Sequence, residues 1–100
     1  MLSVDDITKK LIPIFEQNGV TKAILFGSYA DGTATEESDV DIVVETEPHI
    51  RGLKFFGILG YVADALGMEV DLIPQRSIVP NSRVDMEVSQ KGVVIYERER

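Results

Sequence analysis

Ala23-Ile-Leu-Phe-Gly-Ser-Tyr-Ala-Asp-Gly-Thr-Ala-Thr-Glu-Glu-Ser-Asp-Val-Asp-Ile-Val-Val-Glu45 decides how the rest of the chain is read. The apolar run Ala23 to Phe26 reads as a buried strand and Gly27-Ser28 as a tight turn. Residues 29–38 form a connection, and a second strand opens with Asp39-Val40-Asp41. Glycine lets the backbone turn sharply and lets a ligand approach it closely. If a helical turn starts at Ser28, its free N–H groups favour an anion such as a phosphate, and the Ser28 hydroxyl adds a donor. Side chains alternate along a strand, so Asp39 and Asp41 share one face while Val40, Ile42 and Val44 point the other way, toward a core. Neighbouring carboxylates repel each other unless a cation sits between them, and carboxylates that also meet substrate phosphates are how proteins hold Mg²⁺.

Outward from this stretch, Ser3 is placed to cap a first helix with Asp6 three residues on, and Val4, Ile7, Leu11, Ile14 and Phe15 recur at helical spacing. Pro13 falls inside that pattern and predicts a kink or break near residues 9–13. Gly19 suits a left-handed helix end. Lys22 to Phe26 is expected as the first strand, Asp39 to Glu45 as the second and Leu53 to Leu66 as a long helix. In that helix Leu53, Phe56, Leu59 (or Gly60) and Ala63 lie on one line, with Phe55, Val62 and Leu66 close by. So wide an apolar arc must be well buried or face a partner. Glu69 to Ile73 reads as a third strand, with Val70 and Leu72 on one face and Glu69, Asp71 and Ile73 on the other. Asn81 or Ser82 can cap a short helix to about Gln90, although Val84, Met86 and Val88 also alternate like a strand. Val93 to Tyr96 is a last short strand, and the tail 97–100 is expected in solvent.

Helices alternating with strands predict a small mixed β-sheet with helices packed on one face, an α/β (α+β) class, as a single domain over residues 1–100. If Val40, Ile42, Val44, Val70 and Leu72 face the helices, then Asp39, Asp41 and Asp71 all fall on the opposite face. With strands two and three as neighbours, a third carboxylate joins the first two.

The composition, 44% hydrophobic and 27% charged, is that of a globular chain rather than a disordered one. The absence of cysteine excludes a disulfide scaffold and a thiolate zinc site. No signal pattern or membrane-length apolar run is visible, so a cytoplasmic protein is expected. A net charge of −7 with only 10 scattered Lys and Arg disfavours long nucleic acid as the ligand, because that affinity comes from neutralising phosphates. The acidic segment lacks the order of an EF-hand loop, and no Gly-Lys-Ser/Thr makes Gly27-Ser28 a Walker loop. His49 reads as a surface residue, Tyr29 and Tyr61 as packing residues, and Glu36 and Glu37 as a solvated pair.

Gly27-Ser28, ten intervening residues and Asp39-Val40-Asp41 resemble the GS-x10-D-x-D signature of the nucleotidyltransferase superfamily that includes DNA polymerase beta. The likeness is closest to the minimal nucleotidyltransferases (MNT), many of them antitoxins paired with a HEPN-domain toxin. It covers essentially the whole chain. In that family a third acid stands on a following strand, and Asp71 matches the position. The resemblance implies transfer of AMP from ATP to a hydroxyl, a tyrosine of the HEPN toxin. Asp39 and Asp41 would hold Mg²⁺, two ions in all, with Asp41 bridging them. Asp71 would hold the ion that lowers the acceptor's pKa, or act as its base, and Gly27 and Ser28 would cradle the β/γ-phosphates. The alternatives are an antitoxin that masks the toxin by contact alone, and transfer to a small molecule or an RNA end. A homo-oligomer is compatible with the sequence. One departure stands out: many relatives carry a basic residue where this chain has Asp31, and Lys22, Arg51, Lys54 and Arg76 are the candidates to replace it.

Overall fold

In the computed structural model, which describes residues 1–99, Ser3 starts α1 (Val4–Gln17) with a reciprocal cap. Its hydroxyl accepts from the Asp6 amide and the Asp6 carboxylate accepts from the Ser3 amide, both at 3.0 Å, so two otherwise unpaired donors are satisfied. The expected site of a kink or break at residues 9–13 shows no break: α1 is one helix with Pro13 inside it. Ile7, Leu11 and Phe15, on both sides of the proline, are fully buried and hold both halves to the core. Pro13 itself faces solvent, where a missing backbone bond costs least. Gly19, at φ +76°, takes the left-handed turn out of the helix as expected.

Next come β1 (Val20–Phe26), the single turn α2 (Ser28–Asp31), β2 (Val40–Thr46), α3 (Leu53–Leu66) and β3 (Val70–Pro74). A short 3₁₀ turn (Gln75–Ser77), α4 (Arg83–Lys91) and β4 (Val93–Glu97) complete the order. The ambiguous segment after residue 81 is a helix because Ser82 caps it, accepting from the Asp85 amide at 3.2 Å. The four strands form one mixed sheet in the order β3-β2-β1-β4. β1 runs antiparallel to both β2 and β4, and β2 runs parallel to β3, with α3 as the crossover a parallel pair requires.

α1 and α3 pack against each other on one face of the sheet. Ile7, Leu11 and Phe15 from α1 and Phe55, Ile58, Val62 and Leu66 from α3 meet Ala23, Leu25, Val40, Ile42, Val44 and Leu72. The core therefore covers only the stripe of Phe55, Ile58, Val62 and Leu66, and Leu53 and Phe56 of the wide apolar arc are exposed. A helix lying on a sheet buries only one stripe, and the four residues at intervals of three and four are the continuous one. α4 lies against β1 from the other side. There the Glu87 charge reaches Asp41, and a Cβ added to Gly92 would run into Ile24. Phe26 and Val43 are buried on that face, outside the main core.

The tail is not simply solvated. The Arg98 amide donates to the Thr21 carbonyl at 2.8 Å and its guanidinium to Glu47 at 2.6 Å. Arg100 lies outside the described residues. No helix among those described is long and apolar enough to cross a membrane.

Candidate active site

The register of three strands builds the site. In the antiparallel β1–β2 pair, Phe26 stands opposite Asp41. The next residue, Gly27, then folds back over the Asp41 carboxylate: a Cβ placed there would sit 2.5 Å from Asp41 Oδ2. Gly27 also holds φ +73° and ψ −155°, a conformation essentially reserved for glycine. In the parallel β2–β3 pair, Asp41 stands opposite Asp71, so the two side chains project from one face on adjacent strands. Asp39 is one residue before β2 begins, and it shares an open depression of about 450 Å³ with Asp71 and Glu69 at the β3 edge.

The turn that follows Gly27 is tied down locally. The amides of Ala30 and Asp31 both donate to the Gly27 carbonyl at 3.1 Å, and the Thr33 amide to the Ser28 carbonyl at 3.0 Å. Asp31 accepts from the Thr33 amide and hydroxyl, and these bonds, together with the nearby Lys91 charge, hold its carboxyl below the usual range. The first amides of α2, those of Ser28 and Tyr29, have no acceptor within the helix, as at any helix start. Ser38 and Thr35 close a second small turn just before Asp39.

Electrostatically the site is overloaded with negative charge. Burial pushes the Asp41 carboxyl up to about 6, and the charges of Asp71, Asp39 and Glu87 push it the same way. Among the described residues no three His, Cys, Asp or Glu side chains stand close enough to cage a metal ion. Magnesium is ordinarily held by one or two carboxylates plus substrate phosphates rather than by a complete protein cage, and the Asp41–Asp71 pair beside the Gly27 turn fits that donor set.

α4 brings residues that the sequence did not single out. Glu87, paired with Arg83 at 3.3 Å, adds a negative charge felt at Asp41, and Lys91 adds a positive charge felt at Asp31. Their signal was hidden in the helix-or-strand ambiguity of 83–91, since only a helix on the acidic face places them there. Of the candidate cations, Arg51 and Arg76 line a separate depression of about 360 Å³ at the far ends of β2 and β3. Lys22 faces Glu97 at 3.8 Å. Tyr29 is buried in the core as expected, whereas Tyr61 is exposed on α3. His49 is exposed, 3.7 Å from Glu47.

The sequence model of the nucleotidyltransferase domain matches residues 8–94 of this chain. The chain is 38% identical over 82 residues to the protein adenylyltransferase MntA of Thermococcus cleftensis, covering 78% of this chain and 83% of that protein. It is similar to a chain in the crystal structure of a toxin–antitoxin with AMP-PNP, at a TM-score of 0.77 and 26% identity over 92% of this chain and 74% of that one. The fold is shared as well with a structure of the tri-AMPylated Shewanella oneidensis HEPN toxin in complex with MNT antitoxin. There the TM-score is 0.71 and the identity 23%, over 95% of this chain and 73% of that one.

Proposed function

The chain belongs to the nucleotidyltransferase domain family, and from that premise we propose that it is a protein adenylyltransferase serving as the antitoxin of a toxin–antitoxin pair. It transfers AMP from Mg-ATP to a hydroxyl, a tyrosine of a HEPN-type toxin, and so silences that toxin. The observation that carries the reading is the register pairing of Asp41 with Asp71 beside the Gly27 turn. The likeness to the adenylyltransferase MntA and to a toxin–antitoxin with AMP-PNP supports it.

The reaction joins the acceptor oxygen to the α-phosphorus of ATP while the bond to the bridging oxygen breaks and pyrophosphate leaves. Gly27 and Ser28 cradle the β/γ-phosphates with backbone amides, and the turn tolerates this approach because no side chain stands at Gly27. The positive charge of Lys91, felt at Asp31, favours an anion near the same turn. Asp39 and Asp41 are the residues that would hold Mg²⁺, with Asp41 shared between two ion positions. When bound, the metal neutralises charge on the reacting and leaving oxygens. Asp71 completes the set, either as a further ligand on the acceptor side or as the group that takes the hydroxyl proton. Much of what the protein contributes to such a transfer is positioning and charge stabilisation.

The test is the intact mass of a co-expressed toxin partner, with the unmodified chain and with its Asp39→Asn/Asp41→Asn form. One or more added AMP units with the unmodified chain alone are expected. A partner that binds both forms and gains no mass would make the chain an antitoxin that masks by contact.

A further inference from the structure

The outer face of α3 is apolar and uncovered. Leu53 is 89% exposed, Phe56 66% and Tyr61 57%. With Gly57, Gly60 and Asp64 they form one stripe directly opposite the buried Phe55, Ile58, Val62 and Leu66. The intervals along it (three, one, three, one, three) read the same from both ends. The four inner residue types mirror as well, an aromatic at 56 and 61 and a glycine at 57 and 60, while the ends, Leu53 and Asp64, differ.

Neither glycine is needed by the chain on its own. Both lie inside the helix, neither is among the positive-φ glycines, and an added Cβ would meet nothing within 4 Å. Glycine is among the least favourable residues at such positions. Small residues on a helix face do allow a second helix to come close.

We infer that α3 is a self-association surface: a second copy of this chain packs antiparallel against it about a two-fold axis near residues 58 and 59. In that arrangement Gly57 of one copy meets Gly60 of the other, so the backbones approach. The two Phe56 rings neighbour each other on one flank and the two Tyr61 rings on the other. Charge argues for a second copy as the occupant. Lys54 lies at the N-terminal end of the stripe and Asp64 at the C-terminal end, and neither takes part in an ion pair among the described residues. Antiparallel two-fold packing brings Lys54 of each copy to within one residue, about 1.5 Å along the axis, of the level of Asp64 of the other, which the long lysine side chain spans to give two ion pairs. A groove of about 550 Å³ between α3 and the 47–50 segment, lined in part by Lys54 and Tyr61, continues the surface to one side. The inference stands apart from the proposed chemistry, because the stripe lies on the helix away from the acidic face of the sheet.

The experiment is sedimentation and light scattering of the full chain over a range of concentrations. A dimer is expected, and Phe56→Asp should make it a monomer. Lys54→Glu and Asp64→Lys each reverse both ion pairs and should each weaken the dimer by about tenfold or more. An equimolar mixture of these two variants should dimerise again, because every pair in the mixed dimer joins opposite charges. Gly57→Ala/Gly60→Ala should raise the thermal stability of the monomer while weakening association. A chain that is monomeric throughout, a dimer indifferent to Phe56→Asp, or single reversals that mixing does not restore would each overturn the inference. So would a monomeric chain whose Phe56→Asp form loses only toxin capture, which would assign the stripe to the toxin instead.

Discussion

Replacing Asp41 by Asn should make the metal-free protein more stable, although the residue stands at the centre of the proposed chemistry. In the unfolded chain the carboxyl titrates near 3.8, and in the fold it is pushed up to about 6 by burial and then by Asp71, Asp39 and Glu87. The folded state therefore holds this proton more tightly than the unfolded one. As pH rises from about 4 to above 6, ionising Asp41 destabilises the fold, and above that range the cost is constant. The span from 3.8 to about 6 corresponds to roughly 3 kcal/mol at about 1.4 kcal/mol per tenfold change in proton affinity. Asp41 is only partly buried, so screening by water should leave about 1–2 kcal/mol. Asn keeps the shape beneath Gly27 and removes the charge. For a domain of this size, each kcal/mol moves the melting temperature by about 4–8 °C. Thermal unfolding followed by circular dichroism in EDTA should thus show Asp41→Asn melting higher than the parent at pH 7.5, with the gap closing toward pH 4. An unchanged or lowered melting temperature at pH 7.5, or a gap that persists at pH 4, would refute the assignment of an unneutralised charge to this position.

Gly27→Ala should cost about 1–3 kcal/mol from backbone conformation alone and push Asp41 aside, so calorimetry should show both a lower melting temperature and loss of any stabilisation by Mg-ATP. Pro13→Ala should act in the opposite direction, restoring a helix hydrogen bond and stabilising α1 by about 1–3 kcal/mol in urea unfolding. Ser3→Ala removes the reciprocal cap and should cost about 1 kcal/mol, read as a shift in the urea midpoint at unchanged slope.

The site was legible where chemistry and period coincided. Alternation alone placed Asp41 and Asp71 away from the core, and strand pairing needed only the parallel register to bring them side by side. The glycine of the turn was visible, but its reason was not: the close approach to Asp41 depends on Phe26 standing opposite Asp41, a pairing across the whole connection. Pro13 does not break the helix because its effect is local, whereas Ile7, Leu11 and Phe15 are held by distant partners. In α3 the apolar character is legible but its direction is not, because an all-round apolar helix does not declare which stripe it buries. Glu87 and Lys91 were invisible because their relevance rests on which face of the sheet α4 takes, and nothing in the local pattern of 83–91 states that. Arg98 likewise finds Glu47 only through the fold.

The pairing of Asp41 with Asp71 also sets out where this chain can absorb insertions and deletions. At about 3.3 Å per residue, one residue gained or lost within β2 or β3 turns a carboxylate from the acidic face into the hydrophobic core. A change of two residues keeps the face but carries the carboxylate more than 6 Å along its neighbour. The segment from Thr33 to Ser38, by contrast, is bound mainly to itself through hydrogen bonds among Asp31, Thr33, Thr35 and Ser38, and most of it faces water. Length variation should be lethal to the site in two strands only five and seven residues long, and absorbed in the connection between the turn and the first aspartate.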